Sequence, residues 1–200
     1  MRHVPTAWNL LVNVAELKAG ESVLIMGAGG NLGSIGIQIA KNVIGAKVIA
    51  TAGSDDRVQT GLALGADCGI NYNKQDLAAE VIAFTGGKGV DVLYDNIANP
   101  KVLPSAFRAL GFDGRLVTAG AHGGPSAAID FSHLYHKCIT IKGRPGYRPS
   151  DVSKCFAAAA EGKIKAQIER ILPLSRAAEA HRLVESGDST GKIVLDPTRG

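Results

Sequence analysis

The chain has 200 residues, 46% hydrophobic and 20% charged, which is enough apolar material for one well-packed domain and excludes a disordered polymer. Its formal charge of +4 comes from 22 Lys and Arg against 18 Asp and Glu, scattered without a basic stripe; this argues against a nucleic-acid surface and suits a phosphate-rich small ligand. No apolar run is long enough for a signal peptide or membrane span, and Cys68, Cys138 and Cys155, widely spaced and without a CxxC, read as reduced thiols of a cytoplasmic protein.

In chain order, Pro5–Val14 reads as a helix that opens within a few residues of Met1, as though the chain were cut from something longer. From residue 21 onward, short β-branched runs alternate with helical spacing. Ser22–Met26 is a strand, Leu32–Val43 a helix, Lys47–Thr51 a strand and Ser54–Leu64 a helix. Ser54 is placed to cap that last helix, Asp55 and Asp56 suit its positive end, and Gly65 stops it. Strands at Asp67–Asn71, Val90–Tyr94 and Gly114–Ala119 then alternate with helices at Leu77–Thr85 and Val102–Leu110. A further strand is expected at residues 138–142, a helix around 150–161, a helix at Ser175–Ser186 and a strand at Lys192–Leu195. Near-continuous apolar strands joined by helices imply an α/β fold, a doubly wound parallel sheet covered on both faces.

The chemistry-bearing feature is the turn Gly27-Ala28-Gly29-Gly30-Asn31-Leu32-Gly33 between the first strand and the next helix. A strand–turn–helix of this kind presents free backbone N–H groups and a helix dipole's positive end to an anionic pyrophosphate. Gly27 permits the tight turn, Gly30 lets the backbone approach the phosphates, Gly33 lets the helix pack on the strand, and Asn31 and Leu32 offer backbone N–H groups.

The end of the second strand bears on which dinucleotide is bound. An NAD site wants Asp or Glu there for the ribose hydroxyls. This chain has Thr51-Ala52-Gly53-Ser54, with Arg57 one helical turn on. The missing carboxylate removes repulsion against a 2′-phosphate, which Ser54 and Arg57 are chemically suited to bind. The bland alternative is that Ser54 only caps its helix and Arg57 is a solvated cation.

Taken with Ala19-Gly20-Glu21-Ser22-Val23-Leu24-Ile25, Ile37-Gln38-Ile39-Ala40-Lys41, Leu64-Gly65-Ala66-Asp67, Thr85-Gly86-Gly87-Lys88-Gly89-Val90-Asp91-Val92 and Gly191-Lys192-Ile193-Val194-Leu195, the turn resembles the medium-chain dehydrogenase/reductase superfamily. The quinone oxidoreductase and zinc-type alcohol dehydrogenase branches are the most similar. The resemblance implies a Rossmann sheet of about six strands with helices on both faces, a nicotinamide cofactor, and hydride transfer to or from an alcohol, carbonyl or quinone compound. It implies that residues 1–20 are an interdomain linking helix, that residues 21–200 are the dinucleotide-binding domain, and that an N-terminal catalytic domain is absent from this chain. It also adds Tyr72 to Ser54 and Arg57 around an NADP 2′-phosphate, places Asn96 near the cofactor ribose, and places Ala119, Gly120 and Ala121 near the nicotinamide. NADP is therefore favoured, with NAD possible, and Thr51 belongs to the same strand end.

No catalytic residue or metal ligand is assigned. Arg2 stands four residues before Thr6, where zinc-dependent relatives often carry a cysteine, and Arg cannot coordinate zinc, so any zinc would come from the missing domain. His133, His136 and Cys138 read as ordinary surface residues, His122 as a loop histidine and Asp95 as structural. The 138–142 strand has the alternation of a sheet edge, and the resemblance implies that it pairs across a two-fold axis into a homodimer. The leading reading is the cofactor domain of a quinone or enone reductase. The alternatives are the cofactor domain of a zinc-dependent alcohol dehydrogenase and a non-catalytic nucleotide-binding module.

Overall fold

The computed structural model describes residues 2–186, 189 and 191–199. It opens with helix α1 (His3–Trp8), which widens into a π-helical stretch at Asn9–Val14. The main sheet is formed by β1 (Ser22–Met26), β2 (Lys47–Ala52), β3 (Cys68–Asn71), β4 (Val90–Asp95), β5 (Leu110–Thr118) and β6 (Thr140–Gly143). Between them lie α2 (Asn31–Gln38, widening into a π-helical stretch at Ile39–Ile44), α3 (Asp55–Ala63), α4 (Leu77–Phe84), α5 (Leu103–Arg108) and α6 (Phe131–His136). The six strands run in the order β3-β2-β1-β4-β5-β6, every pair parallel. This is the Rossmann-like, doubly wound arrangement with its order reversing between β1 and β4.

The inner strands are mostly apolar along both faces, because helices and the N-terminal segment cover the sheet on each side. Val23 and Ile25 of β1 point into a core with Leu10, Leu11, Ile37, Val48 and Tyr94. Leu24 and Met26 point into the opposite core with Ile49, Ile70, Val81, Leu93 and Phe107. Polar ties fix the ends: Asp91 of β4 accepts from the backbone N–H and the hydroxyl of Ser22, both at 2.7 Å, and Arg115 of β5 pairs with Glu21 at 2.7 Å.

The main sheet uses the chain only as far as Gly143. After α7 (Pro149–Ala160), β7 (Ile168–Pro173) and β8 (Lys192–Asp196) pair in parallel as a second, two-stranded sheet, joined by a 3-10 turn at Leu174–Arg176 and α8 (Ala177–Glu185). β7 and α6 were not foreseen. β7 is largely exposed, carries charges at Glu169 and Arg170, and ends in Pro173, so it lacks the buried-strand pattern. α6 buries no side chain, which removes the periodic apolar signal.

Three boundaries differ from expectation for local reasons. The last strand of the main sheet begins at Thr140 rather than 138, because Cys138 has φ +54°, a left-handed conformation that ends a turn. β5 starts early, at Leu110, where a register shift accommodates close crossing of Gly89 and Gly111. The α2 region is two helical forms rather than one.

The cysteines are unpaired, with Cys138 exposed, Cys68 half-buried and Cys155 buried. Burial raises the Cys68 thiol above its ordinary value and pushes Cys155 up to about 11. Thiolate is the reactive form, so iodoacetamide at about pH 7.5 should label Cys138 first and leave Cys155 unlabelled until the chain is unfolded. Peptide mass spectrometry reads this order, and equal native rates for Cys138 and Cys155 would contradict the packing of α7.

Candidate dinucleotide-binding site

The strand order reverses between β1 and β4, and the glycine turn leaves the C-terminal end of β1 at that point. Gly27 adopts φ +69°, and a Cβ on it would sit 2.8 Å from Ile97 Cδ1. A Cβ on Gly33 would lie 2.1 Å from the Gly27 carbonyl oxygen, so α2 can start this close to β1 only on a glycine. Gly30 is different, since its Cβ would meet only that same oxygen at 3.3 Å. Its open face lies toward the cleft. With Gly30 as N-cap, the first-turn N–H groups of Asn31, Leu32 and Gly33 have no partner within the helix. A cradle that added side chains would fill, topped by unpaired donors, fits a pyrophosphate.

Two clefts meet at this turn, and a further one adjoins them at Gly53. One of about 150 Å³ is lined by Gly27, Gly30, Arg57, Tyr72 and Asn96 together with Gly29, Ala52, Gly53 and Ile97. The Arg57 stem lies across Gly29, where a Cβ would be 2.6 Å from Arg57 Cγ. Tyr72 leans on Gly53, whose Cβ would be 3.0 Å from the phenol oxygen. The second cleft, about 340 Å³, shares Gly53 and holds Ser54, Asp55 and Lys74. The third, about 300 Å³, joins Gly29, Gly30 and Asn31 to Gly191 and Lys192 of the second sheet.

Of the residues singled out in the sequence, Gly27, Gly30, Arg57, Tyr72 and Asn96 are thus brought together, with Ser54 and Asn31 in the adjoining clefts. Asn96 also has a structural task, donating its amide to the Met26 carbonyl at 2.8 Å and so tying β4 to β1. Ser54 stands at the N-cap of α3, but its side chain makes no capping bond, so the expected cap is not formed. Thr51 is not brought to a cleft: it is fully buried, and its hydroxyl turns to the Ile25 carbonyl and Met26 sulfur. Ala119, Gly120 and Ala121 follow β5 outside the three clefts, and Gly120 packs on the Asn96 carbonyl, 2.4 Å from where a Cβ would be.

Asp95 is buried and its carboxylate accepts from the N–H groups of Ile97 and Ala98 and from the Thr118 hydroxyl. Burial raises its carboxyl above the usual range, and those bonds act against the rise. Its partners make it a brace for the turn after β4. His133 and His136 bond to the carbonyls of Leu110 and Ser132, and among the described residues no group of three or more His, Cys, Asp or Glu is placed to hold a metal ion.

Sequence reasoning missed Gly53, Ile97 and Lys192. Lys192 was visible inside the Gly191–Leu195 motif, but its distance along the chain concealed its place beside the turn. Its ammonium lies 2.9 Å from Nδ1 of His3. Burial, then the Lys192 charge, lowers the His3 imidazole, which leaves Nδ1 able to accept that bond near neutral pH.

Comparison with known proteins follows this geometry. The profile of the family described as "Zinc-binding dehydrogenase" matches residues 31–161. The chain is 31% identical to Quinone oxidoreductase-like protein 2 of Bos taurus, over 96% of this chain and 58% of the relative. It is 33% identical to 2-haloacrylate reductase of a Burkholderia species, over 96% of this chain and 60% of the relative. A crystal structure of an NAD-dependent alcohol dehydrogenase superposes with a TM-score of 0.90 at 37% identity, over 97% of this chain and 56% of that one. The chain therefore spans a little over half the length of each of these three proteins.

The two glycines separate folding from binding. Gly33→Ala should destabilise the chain by about 1–3 kcal/mol through overpacking against Gly27. Gly30→Ala should keep the fold and weaken nicotinamide dinucleotide binding about tenfold or more by intruding on the cleft. Urea unfolding and calorimetric titration distinguish the two; a Gly33→Ala chain of unchanged stability would refute the close approach.

Proposed function

The chain belongs to the zinc-binding dehydrogenase family, within the medium-chain dehydrogenase/reductase superfamily, and from that membership we propose that it is the cofactor-binding part of an NADPH-dependent reductase of the quinone or enone type. The observation that carries the choice of NADPH is the strand end at β2. Ala52, Gly53 and Ser54 stand where an NAD site places a carboxylate, and Arg57 and Tyr72 line the cleft beside them.

When bound, the nicotinamide supplies the hydride, and the residues of this chain bind and orient it. The N–H groups of Asn31, Leu32 and Gly33 would donate to the pyrophosphate, and Lys192 would add a cation at the rim of the same turn. Ser54, Arg57 and Tyr72 take the 2′-phosphate end. Asn96, which ties the end of β4 to β1, would lie near the ribose, and Ala119, Gly120 and Ala121 would lie near the nicotinamide. Hydride transfer then rests on fixing the dinucleotide against a small carbonyl, enone or quinone substrate.

Three unpaired cysteines support a reducing, cytoplasmic setting. No helix among the described residues is long and apolar enough to cross a membrane. β6 is exposed at all four positions at the edge of the main sheet, and we propose that it pairs with a second copy.

Calorimetric titration tests the cofactor choice. NADPH should bind more tightly than NADH, and Arg57→Gln, which keeps the stem over Gly29 and removes the charge, should cost about tenfold for NADPH alone. Equal affinities for the two dinucleotides would sink the 2′-phosphate assignment. Sedimentation should show a dimer at high micromolar concentration, and monomer alone would sink the pairing of β6.

A further inference from the structure

Helix α3 opens on two carboxylates, Asp55 and Asp56, directly after Ser54. A 2′-phosphate bound by Ser54 and Arg57 carries between one and two negative charges, and an uncompensated carboxylate at that place repels it. Asp55 is compensated. Lys74 donates its ammonium to Oδ2, and the Asn71 amide donates to Oδ1 at 2.6 Å. These bonds, that from Lys74 first, hold the Asp55 carboxyl below its ordinary range, so it stays ionised and paired. The loop that carries Lys74 is itself attached to the end of β2, because the Asn73 amide donates to the Gly53 carbonyl at 2.7 Å. Gly53 is also the residue shared by the Ser54–Lys74 cleft and the Arg57–Tyr72 cleft.

We propose that Lys74 is a determinant of cofactor specificity that acts through Asp55: its ammonium cancels the carboxylate on the 2′-phosphate side of the site, so that the acidic start of α3 does not exclude NADPH. The inference rests on the NADPH reading above. Lys74 touches Asp55 and is a positioning residue rather than a phosphate ligand. Both side chains are largely exposed, 65% for Lys74 and 60% for Asp55, so the effect is screened by salt and modest, about threefold to tenfold in affinity.

The test is a titration of the chain with NADPH and with NADH, by calorimetry, for the unaltered protein, Lys74→Ala, Asp55→Asn and the double variant. Lys74→Ala should weaken NADPH by about threefold to tenfold at roughly 50 mM salt and by less at roughly 500 mM, while NADH stays within about twofold. The double variant should regain NADPH affinity to within about twofold of the unaltered protein, because the carboxylate that Lys74 screens is gone. A double variant as weak as Lys74→Ala alone overturns the proposal, as does a loss shared equally by NADPH and NADH. An unaltered protein that prefers NADPH, with the same preference in Lys74→Ala, overturns this inference and leaves the 2′-phosphate site standing. An unaltered protein with no preference overturns both.

Discussion

The approach of Gly33 to the carbonyl of Gly27 sets the geometry on which the site depends. With no Cβ at residue 33, the first turn of α2 rests on the end of β1 at a distance that any side chain would forbid. That contact aims the unpaired N–H groups of Asn31, Leu32 and Gly33 across the strand ends. It also places Gly30 where a backbone, rather than a side chain, forms the wall of the cleft. The left-handed Gly27 completes the turn beneath Ile97. A shift of α2 by the width of a methyl group would move Asn31 away from the cleft it lines.

Around that contact, the sheet supplies a rigid frame. Asn96 bonds β4 to β1 at the reversal point, Asp95 braces the turn after β4, and Gly120 packs on the Asn96 carbonyl from the end of β5. These residues make the strand ends a single surface. The charge-bearing groups come from outside it: Arg57 from α3, Lys74 from the β3–α4 loop, and Lys192 from the second sheet. A rigid floor with cations at its rim suits an anionic ligand, since the floor costs little to order and the rim supplies attraction.

How much of this was legible depends on the range of the interaction. Gly27, Gly30 and Gly33 announced themselves because a strand–turn–helix is local and its glycine spacing is steric. Arg57 was legible by the same logic, one turn into the helix that follows β2. Tyr72 entered only by resemblance, because nothing in its local charge or spacing marks it. Ser54 shows the limit of local reasoning: its position at the N-cap was right, but the expected side-chain bond is not made. Thr51 shows a second limit, since its side chain is buried away from the clefts. Strand alternation decides which face a residue takes, and here it sends the hydroxyl inward to Ile25 and Met26.

The sequence by itself determined the α/β class, the parallel sheet and the position of the phosphate turn. Alternating apolar strands and helices have few right-handed solutions, and a glycine turn between a strand and a helix has a narrow steric purpose. Only the tertiary structure decided that Lys192 stands beside Asn31, that Lys74 masks Asp55, and that β7 and β8 form a sheet of their own. Each of these joins segments separated along the chain or carried on exposed elements. Neither periodicity nor composition encodes such proximity, because it is set by how the packed layers close on one another.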